Sequence, residues 1–285
     1  MKDSTKSSAN LVEKLHRKAY LQSKGISPNA PFQLDLIFPK IMERSDLRSI
    51  PNDYARSSLF TARNKREPRR TLLHKKLFHY NESISILYTG IELRAEDDEL
   101  IWLQILNYGK SVPLGDPFEF SIKDLVKDLN WSKNGRYYDK ARECISRLKA
   151  SEILALNSKA YGTSGAISLI KNYTIVNDEE GKPTQYRVWI EPSLILLFAG
   201  DTFTTHTWEA YRGLSPVARR LADYIESHKH PYPLALEKFR QMCDSSDASL
   251  TSWRQTVNKA CAEVKATAVV RRAMLKDDFI SFASE

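Results

Sequence analysis

FEFSIKDLVKDLNWSKNGRYYDKARECISRLKA, Phe118 to Ala150, carries the pattern that decides the fold. Phe118–Phe120 reads as a short strand. Ser121 is a good N-cap for a helix running to about Leu129. The polar turn NWSKNG, Asn130 to Gly135, separates it from a longer helix ending near Ala150. On that helix Tyr137, Ala141, Cys144, Ile145 and Leu148 fall on one face at i, i+4, i+7, i+8 and i+11. Two helices joined by a short polar turn, the second longer and amphipathic, make a helix-turn-helix unit.

Upstream, SISILYTGIEL (Ser83–Leu93) alternates as strands do, and DDELIWLQILNY (Asp97–Tyr108) has the apolar spacing of a helix with acids at its N-terminus. Downstream come three strand-like runs, Glu152–Leu156, Ala166–Val176 and Gln185–Glu191. The turn DEEGKP marks a hairpin between the last two. The order then repeats. Leu194–Ala199 reads as a short apolar helix. Ser215-Pro216 opens a helix to about His228, with Pro216 at the first helical position. A short strand (Tyr232–Ala235), a helix (Leu236–Met242), a polar turn (Asp244–Ala248) and a long helix (Ser249–Ala266) follow. Val269–Leu275 and Phe279–Phe282 then close a hairpin around Lys276-Asp277-Asp278. The predicted fold is α+β: two tandem winged-helix domains, each a helix-turn-helix plus a β-hairpin wing, behind a flexible N-terminal tail. The expected boundaries are 1–50 for the tail, 51–191 for the first domain and 192–285 for the second.

The charge agrees with a polyanionic partner. The chain has 43 Lys+Arg against 35 Asp+Glu, a net +8. Arg56 to Lys76 holds eight basic residues and the single acid Glu67, in a stretch that reads as basic and loop-rich. Ser249 to Lys276 holds six basic residues and the single acid Glu263, whereas acids outnumber bases from Asp178 to Glu191. Basic blocks separated by neutral or acidic ones suit a nucleic acid touched at several places.

Several function classes are excluded. The longest apolar run, LILLFAG at Leu194–Gly200, is far short of the ~20 residues that cross a bilayer. No basic stretch followed by an apolar one opens the chain, and three scattered cysteines suit reduced thiols, so a cytoplasmic location is expected. There is no phosphate-binding GxxxxGK[ST] loop, and GTSG at Gly162–Gly165 reads as a turn. His228 and His230 lack the second paired spacing of a zinc site. The acids Asp97, Asp98 and Glu99 are explained as a helix N-terminus. No catalysis, metal or cofactor is expected.

The candidate contacts lie on the second helix of each unit. In the first, Asn134 and Arg136 occupy the opening turn, and Asp139, Lys140, Glu143 and Arg147 lie opposite the apolar stripe. Arg pairs with guanine and Asn with adenine, while carboxylates accept from cytosine. In the second, Trp253, Val257, Ala260, Cys261 and Val264 form the stripe. Thr251, Ser252, Gln255, Asn258 and Lys259 face outward as hydrogen-bonding and phosphate-anchoring groups. Arg254, Arg271 and Arg272 flank helix and wing as phosphate or minor-groove contacts. Cys144 and Cys261 belong to the core faces.

Longer strings carry a family resemblance. IPNDYARSSLFTARNK (Ile50–Lys65), YTGIELRAEDDELIW (Tyr88–Trp102), LNWSKNGRYYDKARECISRL (Leu129–Leu148), LLFAGD (Leu196–Asp201) and LSPVARRLADYIESHKHPYPLALEKFRQMC (Leu214–Cys243) resemble the TrfA family of broad-host-range plasmid replication initiators. The resemblance runs from about Ile50 to the C-terminus. It implies two winged-helix domains, binding of double-stranded origin DNA at direct repeats (iterons), and opening of an adjacent AT-rich region, with single-stranded DNA contact there. It also implies recruitment of host helicase and initiator proteins, and an inactive dimer that restrains plasmid copy number.

The family carries a sliding-clamp docking peptide of the QLSLF kind, matched here by QLDLIF. Gln33 would hydrogen-bond at a pocket rim, Leu34 follows it, and Leu36 and Phe38 would fill the pocket. Ile37 is an extra residue relative to the five-residue form and fits the pattern Gln-x-x-Leu-x-Phe. A winged-helix transcriptional regulator is the alternative, and a repressor has no need of a clamp peptide. A nicking relaxase would need a tyrosine beside a metal-binding histidine cluster, which the sequence does not offer.

Overall fold

The computed structural model describes residues 44–113, 115–157, 166–177, 181, 183–191, 194, 197–198, 202–247, 249–267, 269–270 and 272–283. Its first elements are β1 (Leu47–Pro51), α1 (Asn52–Ala55), β2 (Phe60–Thr61), β3 (Thr71–Leu77), β4 (Ile84–Ile91) and β5 (Leu93–Arg94). Next comes the first helix-turn-helix module. It contains α2 (Asp98–Gly109), β6 (Phe118–Ser121), α3 (Ile122–Asp128) and α4 (Gly135–Lys149). β7 (Glu152–Asn157) and β8 (Ala166–Ile167) precede a hairpin of β9 (Asn172–Asn177) and β10 (Pro183–Trp189). β11 (Phe203–Thr207) and α5 (Trp208–Gly213) lead to the second module: α6 (Pro216–Glu226), β12 (Leu234–Ala235), α7 (Leu236–Cys243), α8 (Leu250–Ala266), β13 (Arg272–Lys276) and β14 (Phe279–Ala283).

The two modules share a topology. In each, the strand before the helix pair lies at one sheet edge and the last hairpin strand runs down the middle. The orders are β6-β10-β9 and β12-β14-β13, all antiparallel. The helix starts are chemically set. Ser121 Oγ accepts from Asp124 N–H at 3.0 Å, Asn134 Oδ1 from Tyr137 N–H at 3.2 Å, and Ser249 Oγ from Ser252 N–H at 3.1 Å. Each inter-helix turn also begins on a left-handed Asn or Asp: Asn130 at φ 57° and Asp244 at φ 45°. These side chains tolerate that region better than others do.

Three expectations need correction. The tail does not extend to residue 50. Leu47–Pro51 is a strand paired antiparallel with β11, Ile50↔Thr204, with Ile50 fully buried. Its partner lies more than 150 positions away and leaves no local pattern. For the same reason the boundary between residues 191 and 192 does not separate independent units, since β11 was assigned to the second. Glu152–Leu156, read only as a strand, lies outside the β6-β10-β9 sheet. β7 pairs with β4, Tyr88↔Ile153, in the order β3-β4-β7-β8. Finally, Thr71–Leu77 is an edge strand on β4, not loop. It carries a bulge between Leu72 and Lys75, and exposed Lys75 and Lys76, features that keep an edge from pairing further.

The apolar core is continuous from Ile50 and Trp102 through Leu148 to Trp253 and Ile280. Between the modules lies a buried ionic seam. Arg220, fully buried, donates to Glu99 at 3.0 Å and Asp223 at 2.6 Å, and to the carbonyls of Ala55 and Ser57 at 2.7 Å each. His206 Nε2 lies 2.8 Å from Asp223, its Nδ1 contacts Glu226, and its ring stacks on Tyr211. Satisfying one guanidinium from elements so far apart in sequence fixes how those elements sit together.

Candidate nucleic-acid interface

α4 buries Ala141, Cys144, Ile145 and Leu148, and its first turn rests Tyr137 against Trp131 at 5.6 Å. Arg136, Asp139 and Glu143 are exposed. Asp139 is held by Arg142 at 2.7 Å. Lys140 is partly committed inside the fold. Its ammonium lies 4.8 Å above the Trp131 ring and 3.4 Å from Asp97. Asn134 faces solvent, and its carbonyl oxygen is occupied as the helix cap.

Arg147 is a correction. It was placed on the outward face, yet its side chain is only 11% exposed and bonds Asp98 at 3.0 Å and Cys144 Sγ at 3.0 Å. The reason is its partner: Asp98 is fully buried beneath it and also takes Arg69 at 2.6 Å. Burial and the neighbouring Asp97 push Asp98 up to about 6. The acids that read as a helix N-terminus therefore serve also as anchors for basic side chains. Asp97, Asp98 and Cys144 offer ligand atoms within 4.8 Å of one another. Those carboxylates pair with Arg69, Lys140 and Arg147, so the cluster is a salt-bridge knot.

α8 buries all five residues of its stripe. Thr251, Gln255, Asn258 and Lys259 are exposed along the opposite side. Ser252 is half-buried and donates to Asp247 at 3.0 Å, so it braces the preceding turn. Arg254 donates to the Asp277 carbonyl at 2.6 Å and pairs with Asp278, tying the helix to the wing turn. Arg272 is exposed at the start of β13, and Arg271 lies outside the described residues. So do Gln33, Leu34, Leu36 and Phe38. The three cysteines are buried free thiols; burial pushes all three up, Cys261 to about 11. That suppresses thiolate chemistry. His228 sits just past α6 with Nδ1 2.6 Å from the Tyr224 carbonyl, the helix-end role expected for it. No described helix is long and apolar enough to cross a membrane.

The basic block from Arg56 to Lys76 is largely internal wiring. Arg56 donates to Ser227, Arg63 and Arg70 meet the buried Glu92, and Arg69 meets Asp97 and Asp98. Sequence reading missed this because the acids sit tens of positions away.

A family model described as TrfA protein matches residues 21–283. The chain belongs to the TrfA family. Within it, the chain is 46% identical over 234 residues to the plasmid replication initiator protein TrfA of Escherichia coli, covering 82% of this chain and 61% of that one. The chain thus spans about three-fifths of the length of that curated TrfA relative. Among solved structures, two crystal structures of RctB domains 2 and 3 resemble this TrfA-family fold. One aligns with TM-score 0.53 at 13% identity over 75% of this chain and 85% of the other; the second has TM-score 0.51 at 13% identity over 77% and 83%. At that identity the likeness concerns the fold alone.

Proposed function

We propose that this chain is a plasmid replication initiator that grips origin DNA with two winged-helix heads. The observation that carries the reading is the repeated module. The same strand–helix–turn–helix–hairpin topology occurs twice, and each second helix buries one stripe and leaves a polar face open. Family membership and the name of the Escherichia coli relative support it. Arg136 from α4, and Thr251, Gln255, Asn258 and Lys259 from α8, enter successive major grooves about 10 bp apart on one face of the duplex. Asp139, Glu143 and Asn134 border the first reading face, and Lys140 approaches phosphate from beside Trp131. Arg272, with Arg271, follows the backbone along the second wing.

The reading extends to direct repeats as the target, opening of adjacent AT-rich DNA, and recruitment of host helicase and sliding clamp through Gln33, Leu34, Leu36 and Phe38. Self-association would limit copy number. The DNA-binding part is tested by selecting fragments of the DNA flanking the coding region on the purified chain. Recovery of direct repeats is expected; recovery of no fragment above background contradicts it. For the clamp peptide, Gln33→Ala with Phe38→Ala should abolish binding to purified clamp, and unchanged binding rejects the assignment.

A further inference from the structure

The loop Asn64–Pro68 lies between the two helices proposed to read DNA. On one side Lys65 is 3.7 Å from Glu96, and the same carboxylate is 3.9 Å from Lys140 of α4. On the other side the loop is stitched to the second module. Ala62 N–H donates to the Cys243 carbonyl at 2.7 Å, Asn64 N–H reaches Ser246 Oγ at 3.5 Å, and Arg70 pairs with Asp244. Ser246 belongs to the turn that enters α8. The loop is rigidly formed: Asn64 Oδ1 accepts from Arg66 N–H at 3.0 Å, and Arg63 pairs with Glu67.

The surrounding arginines are consumed internally, as described above, but two basic side chains on this loop are not. Lys65 has 73% of its side chain exposed, and its one ion pair among the described residues is to Glu96, a carboxylate it shares with Lys140. Arg66 is exposed, and its guanidinium has no ion pair among the described residues. With Arg63, Arg69 and Arg70 neutralised inside the fold, Arg66 and the largely exposed Lys65 are the charges this loop presents to solvent.

We infer that Lys65 and Arg66 form a third, sequence-blind contact, binding the duplex phosphates that lie between the two major grooves. This rests on the two-headed reading, because a duplex entered by α4 and α8 must carry its backbone across the space between them. The loop would sense the spacing of the heads without reading a base.

The test uses the full chain and a duplex of about 30 bp, long enough for two successive grooves with flanks, selected by the wild-type chain from a random pool. A scrambled duplex of equal length serves beside it. Lys65→Ala with Arg66→Ala should reduce the slope of log affinity against log salt by about two. It should weaken both duplexes by the same factor, on the order of tenfold or more at 0.15 M salt. Lys65→Arg with Arg66→Lys should retain the wild-type slope. An unchanged slope in the alanine pair, while Lys259→Ala still lowers it, removes the third contact and leaves the two-headed reading standing. Loss confined to the selected duplex, or loss of slope in the charge-conserving pair, also overturns the inference. No change in any of these variants, or failure to select a duplex, would remove the two-headed reading with it.

Discussion

In the proposed complex, base reading depends most on Arg136 and Gln255, because both are exposed and neither side chain has an internal hydrogen bond or ion pair among the described residues. Each alanine substitution should cost about 1–3 kcal/mol of binding and relax discrimination at one base position. A uniform loss across all sequences would make them phosphate contacts. Arg147→Ala should behave differently, lowering the melting temperature by removing one of the two arginines that pair with the buried Asp98. Arg220→Ala should do so more severely, by about 3–5 kcal/mol, since it leaves the buried Glu99 without its ion pair and takes one cation from the buried Asp223. Burial opposes charge on His206, but Glu226 and Asp223 outweigh it and push the imidazole up to about 10. A raised folded value means its contribution is complete below the ordinary 6.5 and is lost as pH rises towards 10. Melting temperature should therefore fall through that window, and His206→Gln should flatten the fall; a flat wild-type profile contradicts it. The apolar stripes of α4 and α8 were legible because helical periodicity is local. The fate of Arg147 was not, because its partner lies 49 positions away.

Elements bounded by their own chemistry were readable to within a residue or two. α3 and α6 begin at their predicted capping serines, Ser121 and Ser215, and α4 and α8 start within a residue of the expected place, capped by Asn134 and Ser249. Asn134→Ala should lower stability by about 1 kcal/mol through the lost cap, and Asn134→Ser should restore it. If both variants instead lose only DNA discrimination at full stability, Asn134 is a base reader. Arg254 links α8 to the wing turn of β13 and β14, so Arg254→Ala and Asp278→Asn should loosen the same contact and combine non-additively in binding measurements. Strands were harder to place. β4 showed its alternation, but nothing near β7 announced that it would pair with β4. β3, with Lys75, Lys76 and His74 exposed, looked like loop because an edge strand of this kind is built to look polar. α5 is too short to generate a period.

At the scale of the molecule, the repeat of helix, strand, helix, helix and hairpin was visible in sequence, while the joining of the two copies was not. β1 clasps β11, Arg220 gathers carbonyls from α1 and its exit together with Glu99 of α2, and Arg70 ties the first basic segment to Asp244. The basic residues are thus divided: some neutralise buried acids and hold the modules in one arrangement, and others remain exposed on the faces proposed to meet DNA. Rigid joining has a functional consequence, since two heads locked together tolerate one spacing between their half-sites. Hydroxyl-radical footprinting of the chain on a single selected repeat tests this most directly. The expected result is two protected blocks about one helical turn apart on the same face of the duplex. Protection confined to one groove, or two blocks on opposite faces, would contradict the account.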